Sequence, residues 1–488
     1  MPQLAQLVPS PVMRTVPRII QGGMGVGVSN WRLAGAVSRL GQLGVVSGTA
    51  LDVILTRRLQ DGDPGGHMRR GLSRFPFPSM AERIFRRYYV AGGKSATEAY
   101  RAPPMHTTSH VRHLQELCIV ANFVEVSLAR EGHDQPVGIN YLEKIQLPHL
   151  PSLYGALLAG VAYVLMGAGI PLKIPGVLDR LSRHEPATYP LSITGARPGE
   201  DTQVAFDPAE FTGTDLAPLV RPRFLAIIAS NALALTLVRK ANGRVDGFVV
   251  EGPAAGGHNA PPRGKLQLND FGEPIYGERD EVDLCQLRAH DLPFWLAGGY
   301  GSAARLREAI DHGAAGVQVG TAFALCRESG LREDYRRALL HAVAAGSARV
   351  FTDPRASPTG FPFKVAELTG SLSDERAFRA RPRICDLGFL REAWRMPNGA
   401  IGFRCPSEPP SLYVSKGGAL EDTIGRKCIC NALTANIGHA QVRASRYVEN
   451  GLVTIGDDLR GVARFLPPNA SDYSAADVVA ELLTSFTA

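Results

Sequence analysis

Eight short runs of continuous apolar residues, each ending near Gly, Ser or Asn, mark the first 320 positions of this chain. They are Val16 to Gln21, Leu43 to Ser47, Val137 to Asn140, Ala162 to Met166, Phe224 to Ala229, Gly247 to Glu251, Phe294 to Ala297 and Gly316 to Val319. They do not alternate apolar with polar residues. Runs of this kind belong to parallel strands covered on both faces. Helix-like stretches separate several of them, at Asn30 to Leu40, Ala232 to Ala241 and Ser302 to His312. Eight strands with intervening helices predict an α/β fold, a (β/α)8 TIM barrel.

The spacing of the runs predicts additions to the barrel. The long gap after the second run reads as a helical insertion, and the gap after the fourth as a smaller, turn-rich insertion with strand-like pieces. A helical stretch from Thr321 to about Ala345 is followed by the Pro/Gly-rich segment DPRASPTGFPFK (Asp353 to Lys364). The expected division is residues 1–365 as the barrel, with insertions at about 50–135 and 172–223, and 366–488 as a cysteine-containing C-terminal extension.

Composition narrows the class. Hydrophobic residues make up 45% of the 488 positions and charged residues 20%, which is ordinary for a globular enzyme. The formal charge of +7 allows mild attraction for anionic ligands. No Lys/Arg tract interleaved with aromatics points to nucleic acid. The N-terminal sequence MPQLAQLVPSPVMRTVPRII has no secretory pattern. The uncharged run Tyr154 to Pro171 is broken by glycines and reads as a buried helix end and strand, not a membrane span. With seven cysteines and no leader, the expectation is a cytoplasmic protein.

Three glycine-rich motifs carry the candidate chemistry. EGPAAGGHNAPPRG (Glu251 to Gly264) begins where the sixth strand should end, the end at which barrels build active sites. Gly256 and Gly257 admit a flat ligand close to the backbone, and His258 supplies a proton-exchanging group. LAGGYGSAARLREAI and GAAGVQVGTAF place Gly298, Gly299, Gly301, Gly320 and Thr321 on the loops after strands seven and eight. Free N–H groups there favour a phosphate. PRIIQGGMGVGVSNW is not a Rossmann fingerprint, because the third glycine position holds Val28 and the second strand ends in Ser47-Gly48-Thr49 without an acid. It suits a backbone bed for a flavin ring.

The ordered set PRIIQGGMG, VGIN, MGAGIP, EGPAAGGHN, LAGGYG and VQVGTAF resembles the nitronate monooxygenase (2-nitropropane dioxygenase-like) family, which is related to the flavin-dependent enoyl-acyl-carrier-protein reductases. The resemblance covers roughly residues 15–365. It implies non-covalent FMN and a histidine, here His258, acting as general base in nitronate oxidation or near the acceptor carbon in enoyl reduction. It also implies that Gly22, Gly23 and Met24 lie against the flavin, that Asn140 and Gly167 line its edge, and that Gly256 and Gly257 contact it. The late glycine loops hold the phosphate. The chain departs from the family pattern at Gly22-Gly23, where Ala-Pro is usual, and in the Asn-Ala-Pro-Pro after His258.

Three functions follow. The first is oxidation of a small carbon acid with O2. The second is NAD(P)H-dependent reduction of an enoyl thioester, with an acyl carrier protein as partner. The third is a non-catalytic flavin- or metal-binding scaffold. Lys364 is a candidate positive charge for an anionic ligand, or a solvated lysine on a Pro turn. In the tail, Cys385, Cys405, Cys428 and Cys430 offer structural zinc, an iron–sulfur cluster or ordinary buried thiols. His106, His110 and His113 have the spacing of one helix face but no nearby carboxylate in sequence.

Overall fold

Each of the eight apolar runs forms a parallel strand, and together they close into one barrel. The strands are β1 (Ile19–Gln21), β2 (Leu43–Ser47), β3 (Val137–Leu142), β4 (Tyr163–Gly167), β5 (Arg223–Ile228), β6 (Gly247–Glu251), β7 (Phe294–Ala297) and β8 (Gly316–Val319). Each pairs with the next in sequence, and β8 closes on β1 through Ile19↔Val317 and Gln21↔Val319. The computed structural model describes residues 16–197, 199–200, 202–467 and 470–486. Most of the N-terminal stretch read for a leader, to residue 15, lies outside the described residues. Among them, no helix is long and apolar enough to cross a membrane.

The strand runs are continuously apolar because both faces are covered. Ile20, Leu43, Val45, Tyr163, Leu165, Leu225, Val249 and Trp295 fill the barrel interior, while the opposite faces join one large core with the surrounding helices. Trp295 plugs the base, its Nε1 donating to the Pro17 carbonyl at 2.8 Å. The helix Trp31–Arg39 is capped by Asn30, whose Oδ1 accepts from the N–H groups of Arg32 and Leu33 at 2.9 and 3.0 Å.

Four helices fill the gap between β2 and β3: Leu51–Gln60, His67–Ser73, Pro78–Tyr88 and Arg112–Ala129. The gap after β4 holds the helix Ile174–Ser182 and an antiparallel pair, Ala187–Pro190 with Gln203–Phe206. After the barrel, Val350–Asp353 and Phe363–Ala366 form a hairpin. The tail then runs back over the barrel. Ile429, Leu433, Leu452, Val453, Ile455 and Leu459 belong to the same core as the barrel's outer layer. The tail strand Glu392–Arg395 also pairs with Ile193–Thr194 of the second insertion.

Candidate active site

The C-terminal ends of the strands open into a cavity of about 430 Å³. That is ample for a cofactor-sized ligand. Its wall includes Gly22, Gly23 and Met24 after β1, Asn140 on β3, Gly167 on β4, and Gly256, Gly257 and His258 after β6. It also includes Gly298, Gly299 and Gly301 after β7, and Gly320 and Thr321 after β8. The structure thus gathers every glycine-motif residue singled out from sequence around one space.

The loop after β6 is fixed from both sides. Gly257 N–H donates to Thr454 Oγ1 at 2.8 Å, and the Gly257 carbonyl accepts from Lys364 N–H at 3.0 Å. Asn259 N–H donates to the Pro362 carbonyl at 2.9 Å. A Cβ on Gly256 would stand 2.8 Å from the backbone carbon of Ile455, so only glycine lets the tail chain pass this closely. Gly257 has φ of +88°, which any other residue adopts at a cost.

His258 is held by this frame. Its Nε2 lies 2.6 Å from Ser357 Oγ, and its ring packs edge-on against Phe363 at 4.8 Å. Ser357 Oγ also meets Thr359 Oγ1 at 2.8 Å. When the serine hydroxyl donates to Thr359, Nε2–H donates to Ser357 and Nδ1 is left as an acceptor. Among the described residues Nδ1 has no partner. Burial, assisted by Lys144, pushes the imidazole down to about 3, so the ring is neutral in the free protein. Lys144 itself stands over the Phe361 ring at 3.1 Å, and burial lowers it to about 8.

A second titrating group escaped the sequence reading. Glu251, the last residue of β6, lines the same cavity, and burial alone raises its carboxyl to about 7. The Glu-Gly step opening the motif carried the signal, but its burial did not show in the sequence. Asp458, from the tail, also faces the cavity beside Gly301, and burial raises its carboxyl above the usual range.

Three observations fit these residues to a flavin nucleotide. Ser47 Oγ, Asn140 Oδ1 and Gln318 Oε1 are buried on the cavity wall without a hydrogen-bond partner among the described residues. Orphaned buried groups of this kind need partners, and the polar edge of a flavin ring offers donors and acceptors. Among the described residues the backbone N–H groups of Gly299, Tyr300 and Gly301 are also unspent, as an anion cradle requires. Much of the remaining wall is apolar, including Ile227, Leu233, Leu433 and Ile455.

The other candidates lie elsewhere. Lys364 is neither solvated nor at the cavity. It is 3% exposed, and its Nζ bonds Thr352 Oγ1 at 2.7 Å and Asp457 at 2.8 Å. His106 does have a carboxylate neighbour: Asp52 Oδ2 lies 2.9 Å from its Nε2, with Cys118 Sγ at 4.0 Å. His113 meets Tyr88, and the helix begins only at Arg112, so the three histidines share no helix face. Cys405 and Cys428 are buried, and Cys385 and Cys430 are half-buried. No three of the four sulfurs come within 4.8 Å of one another.

The fold and the cavity are those of a (β/α)8 barrel with a glycine-walled, cofactor-sized site at its mouth. Residues 222–351, which run from β5 through β8 and the loops after them, match the family model described as nitronate monooxygenase. A nitronate monooxygenase from Pseudomonas aeruginosa is 38% identical over 120 residues, which is 25% of this chain and 32% of the relative. One from Paraburkholderia phytofirmans is 38% identical over 98 residues, 20% of this chain and 25% of the relative. The matches thus span about a third or less of these curated relatives. Solved structures that resemble the whole chain include FabK from Thermotoga maritima, at 15% identity, 96% and 92% coverage and a TM-score of 0.46. Nitroalkane oxidase from Streptomyces ansochromogenes matches at 17% identity, 97% coverage of both chains and a TM-score of 0.45.

Proposed function

We propose that the chain is an FMN-dependent oxidoreductase that oxidises a small carbon acid, such as an alkyl nitronate, with O2. The observation that carries this reading is the meeting of an unpartnered imidazole nitrogen with orphaned polar atoms in one glycine-walled cavity. Ser47, Asn140 and Gln318 would meet the polar edge of the ring, and Gly22, Gly23 and Met24 would lie against it. The loops at Gly298 to Gly301 and Gly320-Thr321 would hold the phosphate. Bound FMN would supply the electron acceptor and the centre that reacts with O2.

The chain's own residues handle the proton. Ser357 holds Nε2 of His258 and leaves Nδ1 to accept the α-proton of the substrate in its neutral nitroalkane form, or to orient a nitronate that has already lost that proton. The neutral ring is available as an acceptor across the physiological range. An anionic substrate alongside supports the imidazolium as it forms. Glu251, poised near neutrality, is a second proton-exchanging group within the same wall.

A second reading is favoured by one feature. The tail and hairpin line part of the cavity with Phe361, Phe363, Phe389, Leu390, Ile429 and Leu433, a wall suited to an acyl chain. That wall supports NAD(P)H-dependent reduction of an enoyl thioester, with an acyl carrier protein as donor of the chain.

The test is to compare wild type with His258→Ala. A positioned base contributes about 10²–10⁴-fold, so nitronate-dependent O2 uptake should fall by that factor while flavin is retained. Full turnover in the variant would remove the assigned role. Anaerobic reduction of the flavin by NADH or NADPH would favour the reductase, and its failure with both would favour the oxidase reading.

A further inference from the structure

Away from the barrel mouth, three side chains of different ligand chemistry meet where the first insertion joins the barrel. Asp52 sits in the first turn of the helix Leu51–Gln60, soon after β2. Cys118 lies in the helix Arg112–Ala129. His106 belongs to the stretch 89–111 between two insertion helices, which forms neither helix nor strand. Nε2 of His106 stands 2.9 Å from Asp52 Oδ2 and 4.0 Å from Cys118 Sγ, and all three atoms lie within 4.8 Å of one another. The histidine is held from the tail, where Arg391 Nη2 donates to its carbonyl at 2.6 Å and Phe389 packs against its ring at 5.9 Å.

This arrangement is unlike a proton relay. In a relay of nucleophile, imidazole and carboxylate, the two outer groups take opposite nitrogens of the ring. Here carboxylate and sulfur both approach Nε2, so the three atoms converge on one point. Charge points the same way. Asp52 is 4% exposed, and its Oδ1 accepts the N–H of Val53 at 2.9 Å. Among the described residues His106 is its ion-pair neighbour, and no lysine or arginine pairs with it. A buried carboxylate needs a positive partner. A protonated His106 would answer Asp52 alone. A cation among the three atoms answers the carboxylate and also uses the lone pairs of nitrogen and sulfur.

We propose that Asp52 Oδ2, His106 Nε2 and Cys118 Sγ bind one zinc ion, with a water as fourth ligand, and that the ion fastens the stretch 89–111 to the barrel. Mixed oxygen, nitrogen and sulfur donors suit zinc better than magnesium or calcium, which take oxygen. Bond lengths of about 2.0–2.3 Å in a tetrahedron set the donor atoms about 3.3–3.7 Å apart. The observed 2.9 and 4.0 Å bracket that range. The site therefore closes with side-chain shifts of about half an ångström. A cavity of about 20 Å³ borders Asp52, with Asn122, Tyr141 and Ser152 on its wall. It has room for one water and none for a substrate, which makes the ion structural and not catalytic. Burial and the charge of Asp52 push the Cys118 thiol up. Zinc uptake therefore breaks the S–H bond, forms an S–Zn bond and passes the proton to solvent. His106, 12% exposed, is the side on which the ion enters. The proposal does not depend on the flavin reading.

The test is zinc binding by the full chain, stripped with a chelator and titrated with zinc against a chromophoric indicator in weakly buffered solution. The expected result is about one zinc per chain, about one proton released per ion and a higher melting temperature with zinc. Cobalt(II) in place of zinc should give the near-ultraviolet absorbance of a thiolate–cobalt bond. His106→Gln and Cys118→Ser should each weaken zinc binding by at least about 10- to 100-fold, the cost of disturbing even an outer partner of a metal ligand. Both should lose the zinc-dependent rise in melting temperature, and Cys118→Ser should lose the cobalt absorbance. His110→Gln, at an exposed position of the same stretch, should bind as wild type does. Wild-type protein that takes up no zinc would overturn the proposal and leave a plain carboxylate–imidazole pair. Zinc held equally by wild type and by His106→Gln would overturn it too, by placing the ion elsewhere. His106→Gln alters a partly exposed side chain, so this comparison stands even if Cys118→Ser fails to fold.

Discussion

Gly23→Ala is the sharpest probe of the flavin bed. An ideal Cβ at this position would lie 1.9 Å from Asn140 Oδ1, 2.3 Å from its Cγ and 2.9 Å from its Cβ. Such contacts do not occur between unbonded atoms, so the Asn140 side chain must swing aside by about an ångström or more. Its backbone cannot follow, because β3 is pinned by Ser47↔Asn140 and Asn140↔Leu165 pairing. Overpacking of this kind costs about 1–3 kcal/mol in stability. The displaced amide would also give up the cofactor contact proposed for it, a hydrogen bond worth about 0.5–1.5 kcal/mol, or roughly 2- to 12-fold in affinity. Gly25→Ala on the same loop is the matched control, since its Cβ would meet only Leu433 Cδ1 at 3.5 Å, an ordinary contact. Fluorescence titration with FMN and thermal melting of both variants give the comparison. Equal melting and equal FMN affinity for the two would refute the reasoning.

Other outcomes follow from the same geometry. Ser357→Ala removes the 2.6 Å bond that fixes His258, and turnover should fall about 3- to 10-fold with flavin content unchanged; an unaltered kcat would deny Ser357 a positioning role. Glu251, raised to about 7, binds a proton in the folded state that the unfolded chain releases near pH 4.5, so stability falls as pH rises through that window. Glu251→Gln should therefore raise the melting temperature at pH 8 more than at pH 5, with a ceiling of about 3 kcal/mol; equal shifts at both pH values would mean that the carboxyl is not raised. Asp458→Asn removes a carboxyl beside Gly301, and FMN should bind more tightly at pH 8 with little change at low pH, whereas unchanged affinity at pH 8 would place the phosphate elsewhere.

The barrel was legible because parallel strands buried on both faces leave continuous apolar runs, and those runs need no partner information to be recognised. The first strand came out shorter than expected, at Ile19–Gln21, since Pro17 has no N–H to donate to a ladder. The glycine loops were legible for a related reason: close backbone approach leaves glycine and little else. What the sequence concealed lies in contacts between distant segments. Ser357 reaches His258 across 99 positions, and Thr454 reaches Gly257 across 197. Lys364 looked exposed beside its prolines, but its partners Thr352 and Asp457 bury it. Asp52 is 54 positions from His106, so their pairing left no local pattern. The perturbed carboxyls of Glu251 and Asp458 depend on desolvation, which only packing creates.

The central claim is that a flavin nucleotide seats in the glycine-walled mouth of this barrel, phosphate on the loops after β7 and β8. Equilibrium titration of flavin-stripped, folded protein with FMN and with riboflavin measures it directly. The account predicts saturable binding of FMN at about one per chain, and weaker binding of riboflavin, which lacks the phosphate that those N–H groups would hold. Folded protein that takes up neither ligand, or that makes no distinction between them, would contradict it.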